Sequence, residues 1–438
     1  MAEARALSGK SIWLVTTGEP LPVDGAGVRL LRHGLLARML AERGWNVTWW
    51  TSAFDHTSKR HRTDGVNGIC EMAPNFRLVL LPSCGYRRNI SLARFRDHAQ
   101  IARAFGDRAA QQPAPDVVLC SYPTLELSDA ATRYGAAHGV QVVLDVRDLW
   151  PEIFLELVPR WARPLARLAL YRSFRMSSRC LQGASAIFGI TQPIRDWALR
   201  RAGRPAGPQD RVFHLAYAEP VLSDQVRMEA EARWDRLGVM ADKFLVCFFG
   251  ALGHQFDFDT VLQAAESLQS RHPEVRFVIC GSGHRLETLQ AAARRSSNLV
   301  VPGWVGQADI WVLMQRAACG LAPYINEYSF TLSVPNKIIE YCAGALPVVS
   351  CLQGETAILL STHAIGIHYV EYDSASLAKA VGDLVVNDGR RQAMARRARG
   401  LFESDMSAAH VYGLMIDQLN RIALGPLLNQ SALRVPTA

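Results

Sequence analysis

Residues 333–350 read SVPNKIIEYCAGALPVVS, and the fold follows from how this stretch divides into a helix and a strand. Pro335 suits the first helical position, where a missing N–H costs nothing, and Gly344 suits the residue after the last turn. The spacing predicts a short helix over Asn336 to Ala343 and a strand over Leu346 to Ser350. A further apolar run, Cys319 to Pro323, predicts another strand just before them. In open α/β sheets, helix N-termini at the carboxyl ends of strands gather free backbone N–H groups and the positive end of the helix dipole, so they attract phosphate. Lys337 adds a cation in the first turn. Glu340, three residues on, shares its face and lies one turn deeper. A cation and a carboxylate so placed suit a diphosphate and a ribose diol; a solvated i,i+3 ion pair is the plain alternative.

Working outward, strands alternate with helices in both directions. Ser11 to Thr17 predicts the first strand, 18–27 a Gly/Pro-rich loop, Val28 to Arg43 a helix ended by Gly44, and Val47 to Thr51 the next strand. That βαβ unit implies a right-handed parallel crossover. Leu78 to Leu81, Val117 to Cys120, Val140 to Asp145, Ser185 to Ile190 and Arg211 to Leu215 continue the series. The polar, Gly/Pro-rich run 203–210 precedes a domain boundary, so 1–215 and 216–403 are the expected domains. The second series is Phe244 to Phe249, Val275 to Cys280, Leu299 to Val301, Cys319 to Pro323, Leu346 to Ser350 and Ile365 to Val370. From Ser374 the pattern is helical to Leu424, broken near Gly400 to Asp405. Two Rossmann-like α/β halves, each with a doubly wound parallel sheet, account for this order.

The sequence Ser-x-Pro-x-Lys, then Glu-Tyr, a small residue, Gly and Pro-Val-Val resembles the donor-binding signature of GT-B glycosyltransferases of retaining family four, the group 1 glycosyl transferases. The resemblance implies that Glu340 holds the nucleotide ribose and Lys337 lies near the phosphates. It also implies a GT-B fold, with two Rossmann-like domains whose parallel sheets face across a cleft. The N-terminal domain would take the acceptor and be joined by the final helix, 404–424; 216–403 would bind the nucleotide sugar.

Other motifs fall at strand ends. The loop from Gly18 carries Gly25 and Gly27, which let backbone approach a ligand; the resemblance sets them near donor phosphates and acceptor. Arg29 and Arg32 on the helix behind it are expected to be solvated or structural. The phrase Arg147-Asp148-x-Trp150-Pro151-Glu152 resembles a subgroup of bacterial family-four transferases acting in surface-polysaccharide assembly. Many members carry a histidine where Arg147 stands. Arg147 is assigned to oxyanion binding, which a guanidinium fork suits, and Asp148 to orienting it or accepting a sugar hydroxyl. With Lys337 these form the expected catalytic set. Gly250, Gly253 and His254 resemble the family's donor-phosphate loop, although the basic pair often found just beyond it is replaced by Gln255 to Asp257. Gly281 and Gly283 resemble the turn that shapes the base pocket, and Trp304 and Val305 the segment that reads the base edge. Family members often place a sugar-binding glutamate eight residues before the second one. Here that position is Leu332, and Glu327 lies nearby.

Composition bounds the rest. The chain has 438 residues, 49% hydrophobic and 20% charged, enough for two or three domains. No apolar run reaches the ~18 residues of a membrane span, and no signal-peptide core is visible. Nine scattered cysteines without a Cys-x-x-Cys pair argue for reduced thiols in a cytoplasmic protein. A net charge of +8 without a nucleic-acid-binding signature points to nucleotide phosphates or anionic lipid headgroups rather than to nucleic acid. The basic amphipathic stretches Arg87 to Phe105 and Arg160 to Arg179 suit a peripheral contact with anionic membrane, or helices that cover the sheet with snorkelling arginines. No metal site is apparent, so no metal and no cofactor are expected. The expected activity is retaining transfer from a nucleotide-diphosphate sugar to a lipid-linked polysaccharide precursor. The rivals are a nucleotide-sugar epimerase of the same fold and a non-catalytic nucleotide-sugar or lipid-binding assembly partner.

Overall fold

The computed structural model describes residues 9–25, 28–62 and 68–425. These fall into two compact units: one runs to His214 and resumes at Val411, and the other is Leu215–His410.

In the first unit the strands are β1 (Ser11–Val15), β2 (Asn46–Ser52), β3 (Phe54–Asp55), β4 (Arg60–His61), β5 (Gly68–Ala73), β6 (Phe76–Leu81), β7 (Val117–Tyr122), β8 (Gln141–Val146), β9 (Ala186–Gly189) and β10 (Arg211–Val212). Eight of them form one sheet, ordered β10-β9-β8-β7-β1-β2-β6-β5, while β3 and β4 pair separately as a hairpin. All neighbours in the large sheet are parallel except β5 and β6. Parallel strands covered on both faces read as continuous apolar runs, and β7 is buried at every position. Each Val or Leu so buried contributes roughly 1.5–3 kcal/mol.

The second unit holds β11 (Phe244–Ala251), β12 (Val275–Ser282), β13 (Leu299–Gly303), β14 (Cys319–Ala322), β15 (Val348–Ser350) and β16 (Gly366–His368). Their order is β13-β12-β11-β14-β15-β16, parallel throughout. Read from the first strand of each unit, both sheets run three strands one way and the rest the other. The order reverses between β1 and β7 in the first unit and between β11 and β14 in the second. Outside the carboxyl ends at such a reversal, loops diverge and leave a crevice.

Several local expectations shift. The helix expected over Val28 to Arg43 is Arg32–Glu42, since Leu31 has extended backbone and offers no side-chain cap. Helix Asn336–Ala343 starts after Pro335, which serves as its cap with φ −62° and ψ 150° rather than as its first helical residue. Gly344 has φ −76°, and the left-handed turn falls on Ala345 at φ 55°. Gly344 is small for another reason: a Cβ there would lie 3.0 Å from that of Met314. The strand that follows begins at Val348, two residues later than the pattern indicates. Strand β5 and the β3/β4 hairpin were not legible; β5 is a half-exposed antiparallel edge with alternating, mixed chemistry. The helical break near residue 400 is a π-helical turn, Phe402–Met406, followed by helix Ala408–Ala423.

All nine cysteines are unpaired thiols. Burial pushes those of Cys120, Cys319 and Cys342 up to about 12.

The closest backbone approach is at the carboxyl ends of β11 and β12. A Cβ on Gly281, at φ +148°, would meet the Gly250 carbonyl oxygen at 1.7 Å. Gly281→Ala is therefore expected to destabilise the second unit by about 2–4 kcal/mol in denaturant unfolding. Gly139→Ala, at φ +69° with nothing within 4 Å of its Cβ, is the comparison and should cost about 1 kcal/mol. Equal effects would show that the contact, as distinct from the backbone angle, is unimportant.

Candidate functional site

Each reversal point carries its own constellation. In the second unit, loops after β11 and β12 are stitched together: Leu252 N–H donates to the Ser282 carbonyl at 2.8 Å, and Arg285 N–H to the Leu252 carbonyl at 3.3 Å. Gly283 makes this possible, because a Cβ there would sit 2.5 Å from the Leu252 carbonyl oxygen. Gly250 has φ +138°, and its missing side chain makes room for Lys337, whose Nζ lies 2.5 Å from where a Cβ would stand. The same Nζ lies 4.9 Å from the ring centres of Phe248 and Phe256 and 5.9 Å from that of Tyr324. This aromatic box fixes a long, flexible side chain against the backbone of the loop after β11, and cation–π attraction supplies roughly 0.5–2 kcal/mol per favourable contact.

Helix Asn336–Ala343 is anchored from behind. Tyr341 is fully buried and donates its hydroxyl to the Leu321 carbonyl at 2.8 Å. Its ring fills the space that a side chain on Gly320 would occupy. Glu340 is only 4% exposed, so Lys337 and Glu340 are not a solvated surface pair. Burial, with Glu340 adding to it, drives the Tyr324 hydroxyl well above its ordinary pKa, which keeps it neutral and able to donate.

Around this centre the other expected residues are dispersed along the strand ends. Gly253 has Gln255 folded over it; His254 is exposed and stacks on His284 with ring centres 3.5 Å apart and planes at 26°. His284 was missed in the sequence, although it directly follows the Gly281-Ser-Gly283 turn. Gly303 pairs with Cys280, which sets the exposed Trp304 and half-buried Val305 beside the Gly281 turn. Glu327 is exposed and caps the short helix Tyr328–Thr331.

In the first unit, a pocket enclosing about 180 Å³ opens where β1 and β7 part. Thr17, Gly18, Ser121, Thr124, Arg147 and Asp148 line one side; His56, Tyr86, Arg94 and His98 line the other. Arg147 donates to Glu19 and to Ser121 Oγ. Glu19 is itself bound by His33, through the backbone N–H and Nδ1, both at 2.9 Å. Asp148 is exposed at the rim. Beneath this lies a fully buried bidentate pair: Arg32 Nε and Nη2 each donate to Asp145 at 2.8 Å, while Nη1 donates to the His214 carbonyl. Arg32 is thus structural. Its signal was present, since position 32 shares the buried helix face with Leu35, Leu36 and Leu40, and Asp145 ends an otherwise apolar strand.

Gly25, at φ +143°, lies at the surface with nothing within 4 Å of where a Cβ would stand, and Gly27 lies outside the described residues. The loop ahead of it is tied down by Asp24, which accepts from Leu21 N–H and from Arg62 Nε and Nη2.

These two units and their crevices define a GT-B architecture. Sucrose-phosphate synthase from Thermosynechococcus elongatus superposes with a TM-score of 0.68 at 18% identity, over 94% of this chain and 98% of that one. Anabaena HepE, solved with UDP and glucose, gives 0.64 at 14%, over 94% and 100%. The family description "Glycosyl transferase 4-like domain" matches residues 25–213, and "Glycosyl transferases group 1" matches residues 243–387. The chain belongs to the group 1 glycosyltransferases. It is 28% identical over 198 residues to the D-inositol 3-phosphate glycosyltransferase of Salinispora arenicola (strain CNS-205), over 42% of this chain and 43% of that protein. The chain spans about two fifths of the length of the curated relatives it matches.

The Glu19 cluster predicts an acid limit. Burial alone would raise the Glu19 carboxyl, but His33 and Arg147 outweigh it and hold it well below the usual range. Asp145 is likewise held low: Arg32 outweighs its burial. A depressed folded pKa contributes stability that is complete above the unfolded carboxylate value, near 4, and is lost as pH falls through the folded value. Melting temperature should therefore fall from about pH 4 downward. Glu19→Gln should flatten that limb, and an unchanged acid slope would remove Glu19 from the account.

Proposed function

We propose that this chain moves a sugar from a nucleoside-diphosphate sugar to a lipid-linked precursor in polysaccharide assembly, with retention at the anomeric carbon. The observation that carries the donor half is Lys337 held by three rings against Gly250, with buried Glu340 one turn deeper in the same helix. In this reading the diphosphate takes Lys337, the N–H groups of the loop after β11 and the amino end of helix Asn336–Ala343, while Glu340 accepts from the ribose hydroxyls. HepE was solved with UDP and glucose, which favours a uridine nucleotide as the first to try.

The bond from the anomeric carbon to the diphosphate breaks with its electron pair going to the phosphate oxygen. The acceptor oxygen bonds to the same face, and its proton passes to the departing diphosphate. Positive charge at Lys337 stabilises that leaving group most when its negative charge is greatest. Asp148, exposed at the rim of the first unit's pocket, is assigned to an acceptor hydroxyl, and Arg147 to an oxyanion. Gly25, Gly253, Gly281, Gly283, His254, Trp304 and Val305 are assigned to shaping the donor side, and no divalent ion is required because fixed cations and amides supply the charge.

The lipid-linked acceptor and a peripheral membrane contact draw support from residues 153–171. No residue is buried in Ile153–Glu156, Arg160–Ala162 or Arg163–Ala169. Trp161 is 79% exposed, Leu165 68% and Leu168 72%, interleaved with Arg160, Arg163 and Arg167. Apolar side chains flanked by arginines suit the headgroup layer of an anionic leaflet. The other basic stretch behaves differently: helix Leu92–Ala109 buries Ile101, Ala102 and Phe105 and covers the sheet. Among the described residues no helix is long and apolar enough to cross a membrane.

Two measurements test this. A panel of nucleoside diphosphates should raise the melting temperature, by roughly 5 °C for the correct base at saturation. Glu340→Ala should abolish the rise and Lys337→Met should reduce it; a panel in which no nucleotide stabilises the protein overturns the donor assignment. In co-sedimentation, the protein should bind phosphatidylglycerol vesicles and the triple variant W161S/L165S/L168S should remain in solution. Equal recovery of both proteins would discard the membrane contact.

A further inference from the structure

The pocket of the first unit carries a second cationic cluster, on the side away from Arg147, that the reaction just described leaves unused. Arg94 projects from helix Leu92–Ala109 and is clamped between aromatic rings, its guanidinium carbon 4.9 Å from the centre of Trp150 and 5.6 Å from that of Tyr86. Nη1 donates to the Asn89 carbonyl at 3.0 Å and Nε faces His98 Nε2 at 3.4 Å. Lys59, on the turn between β3 and β4, places its Nζ 4.7 Å from the centre of the Tyr86 ring and 3.5 Å from His56 Nδ1. The Tyr86 hydroxyl lies 2.5 Å from that same nitrogen. With two donors converging on Nδ1, the neutral imidazole carries its proton on Nε2.

Among the described residues, neither Arg94 nor Lys59 has a carboxylate within ion-pair distance. The nearby acids are engaged elsewhere. Asp97 accepts from Ser83 Oγ and Gly85 N–H. Asp55 accepts from the N–H groups of Thr57 and Ser58 and lies 3.7 Å from Arg62. Glu126 faces His98 at 3.6 Å, and Glu19 neutralises Arg147. Asp148 on the rim feels both arginines. Like charges brought together by rings and backbone, with Asp97, Asp55, Glu126 and Glu19 committed to other partners, leave a positive potential at that end of the pocket. His56 registers it: burial first, then Lys59, Arg94 and His98, lower its pKa to about 4, and only Asp55 opposes them.

We propose that Arg94, Lys59, His56 and Tyr86 bind a phosphate ester carried by the acceptor, so that the acceptor is a phosphorylated saccharide anchored by its phosphate while its hydroxyl is presented toward Asp148. The inference rests on the reading above that the first unit takes the acceptor. A guanidinium fixed by two rings presents its remaining N–H groups in a rigid fork, the geometry an oxyanion accepts. The ester comes either from a soluble sugar phosphate or from the diphosphate of an isoprenoid-linked saccharide, and the chemistry of the site is common to both.

The test uses the full chain with histidine rings labelled for NMR, the His56 signal being assigned by its loss in His56→Phe. Inorganic phosphate should move that signal in a saturable way and raise the His56 pKa by about 1–3 units, the shift an opposite charge makes at close range. Arg94→Gln should weaken phosphate at least tenfold, Arg94→Lys less; if Arg94→Gln does not fold, Lys59→Gln carries the same test with a smaller loss. In Glu340→Ala the response of His56 should persist, which separates this site from the donor site. A His56 signal and pKa unmoved by millimolar phosphate, in protein that a nucleoside diphosphate still stabilises, overturns the proposal and leaves the donor reading standing. A hexose phosphate and a short-chain isoprenyl-diphosphate sugar in detergent are then compared as competitors. Stronger competition by the first marks a soluble acceptor and by the second a lipid-linked one; failure of both to displace phosphate overturns the assignment to an acceptor.

Discussion

A parallel sheet in which strand order reverses cannot have its connecting loops all cross the same way, and the two sets of loops part at the reversal. Both sheets of this chain obey that constraint, between β1 and β7 and between β11 and β14. What each crevice becomes depends on how tightly the strand ends are packed. In the second unit the ends of β11 and β12 touch backbone to backbone, with Gly250, Gly281 and Gly283 all at positive φ. Side chains there would separate the two loops and displace Lys337. The glycines therefore act through the space they leave, and that space brings a lysine from the β14 side of the reversal onto a loop from the β11 side. In the first unit the crevice stays open, and its walls mix polar and charged groups with rings.

That openness depends on buried charge. Arg32 and Asp145 are both removed from water directly under the pocket, and separating them would strand one charge at a cost of about 3–5 kcal/mol. Their bidentate geometry, with Nη1 of Arg32 taken by the His214 carbonyl, holds the pair in one arrangement. Glu19 can then serve Arg147 and His33 alone. The result is a layered arrangement in which a closed pair below supports a partly exposed arginine above. Such networks give a unique side-chain placement more surely than they give stability.

The parallel strands were readable because burial on both faces forces them to be apolar throughout, as in VVLCSY at 117–122. Strand β5 was not, because an antiparallel edge is half wet and its residues GICEMA follow neither template cleanly. Pro335 and Gly344 marked the right helix but for reasons one step removed: Pro335 fits a cap that wants extended ψ, and Gly344 yields to Met314. In the second unit, residues close in sequence and residues at strand ends could be grouped in advance, since one sheet's topology gathers them. The pocket residues His56, Tyr86 and Arg94 could not. They come from a hairpin, a loop and a helix, with His56 and Tyr86 30 positions apart, and no periodicity records their meeting.

In the proposed reaction the residue at 147 limits the chemistry. A histidine there could take a proton or release one, whereas a guanidinium does neither at any working pH. Arg147 is further constrained, because Glu19 and Ser121 fix its two terminal nitrogens and Glu19 in turn is fixed by His33. Its charge is consequently steady and already half spent on a carboxylate. Proton transfer in the proposed reaction then has to use a group that is itself changing charge, and the departing diphosphate is the one that gains basicity as the bond to carbon breaks. Lys337 meets the opposite requirement. Set among three rings beside the Gly250 backbone, its ammonium is oriented toward the place the proposed diphosphate would take as that group gains charge. In the proposed reaction the two cations thus differ in setting: Arg147 is fixed by a carboxylate and a hydroxyl, and Lys337 is oriented by π-faces against the backbone of Gly250.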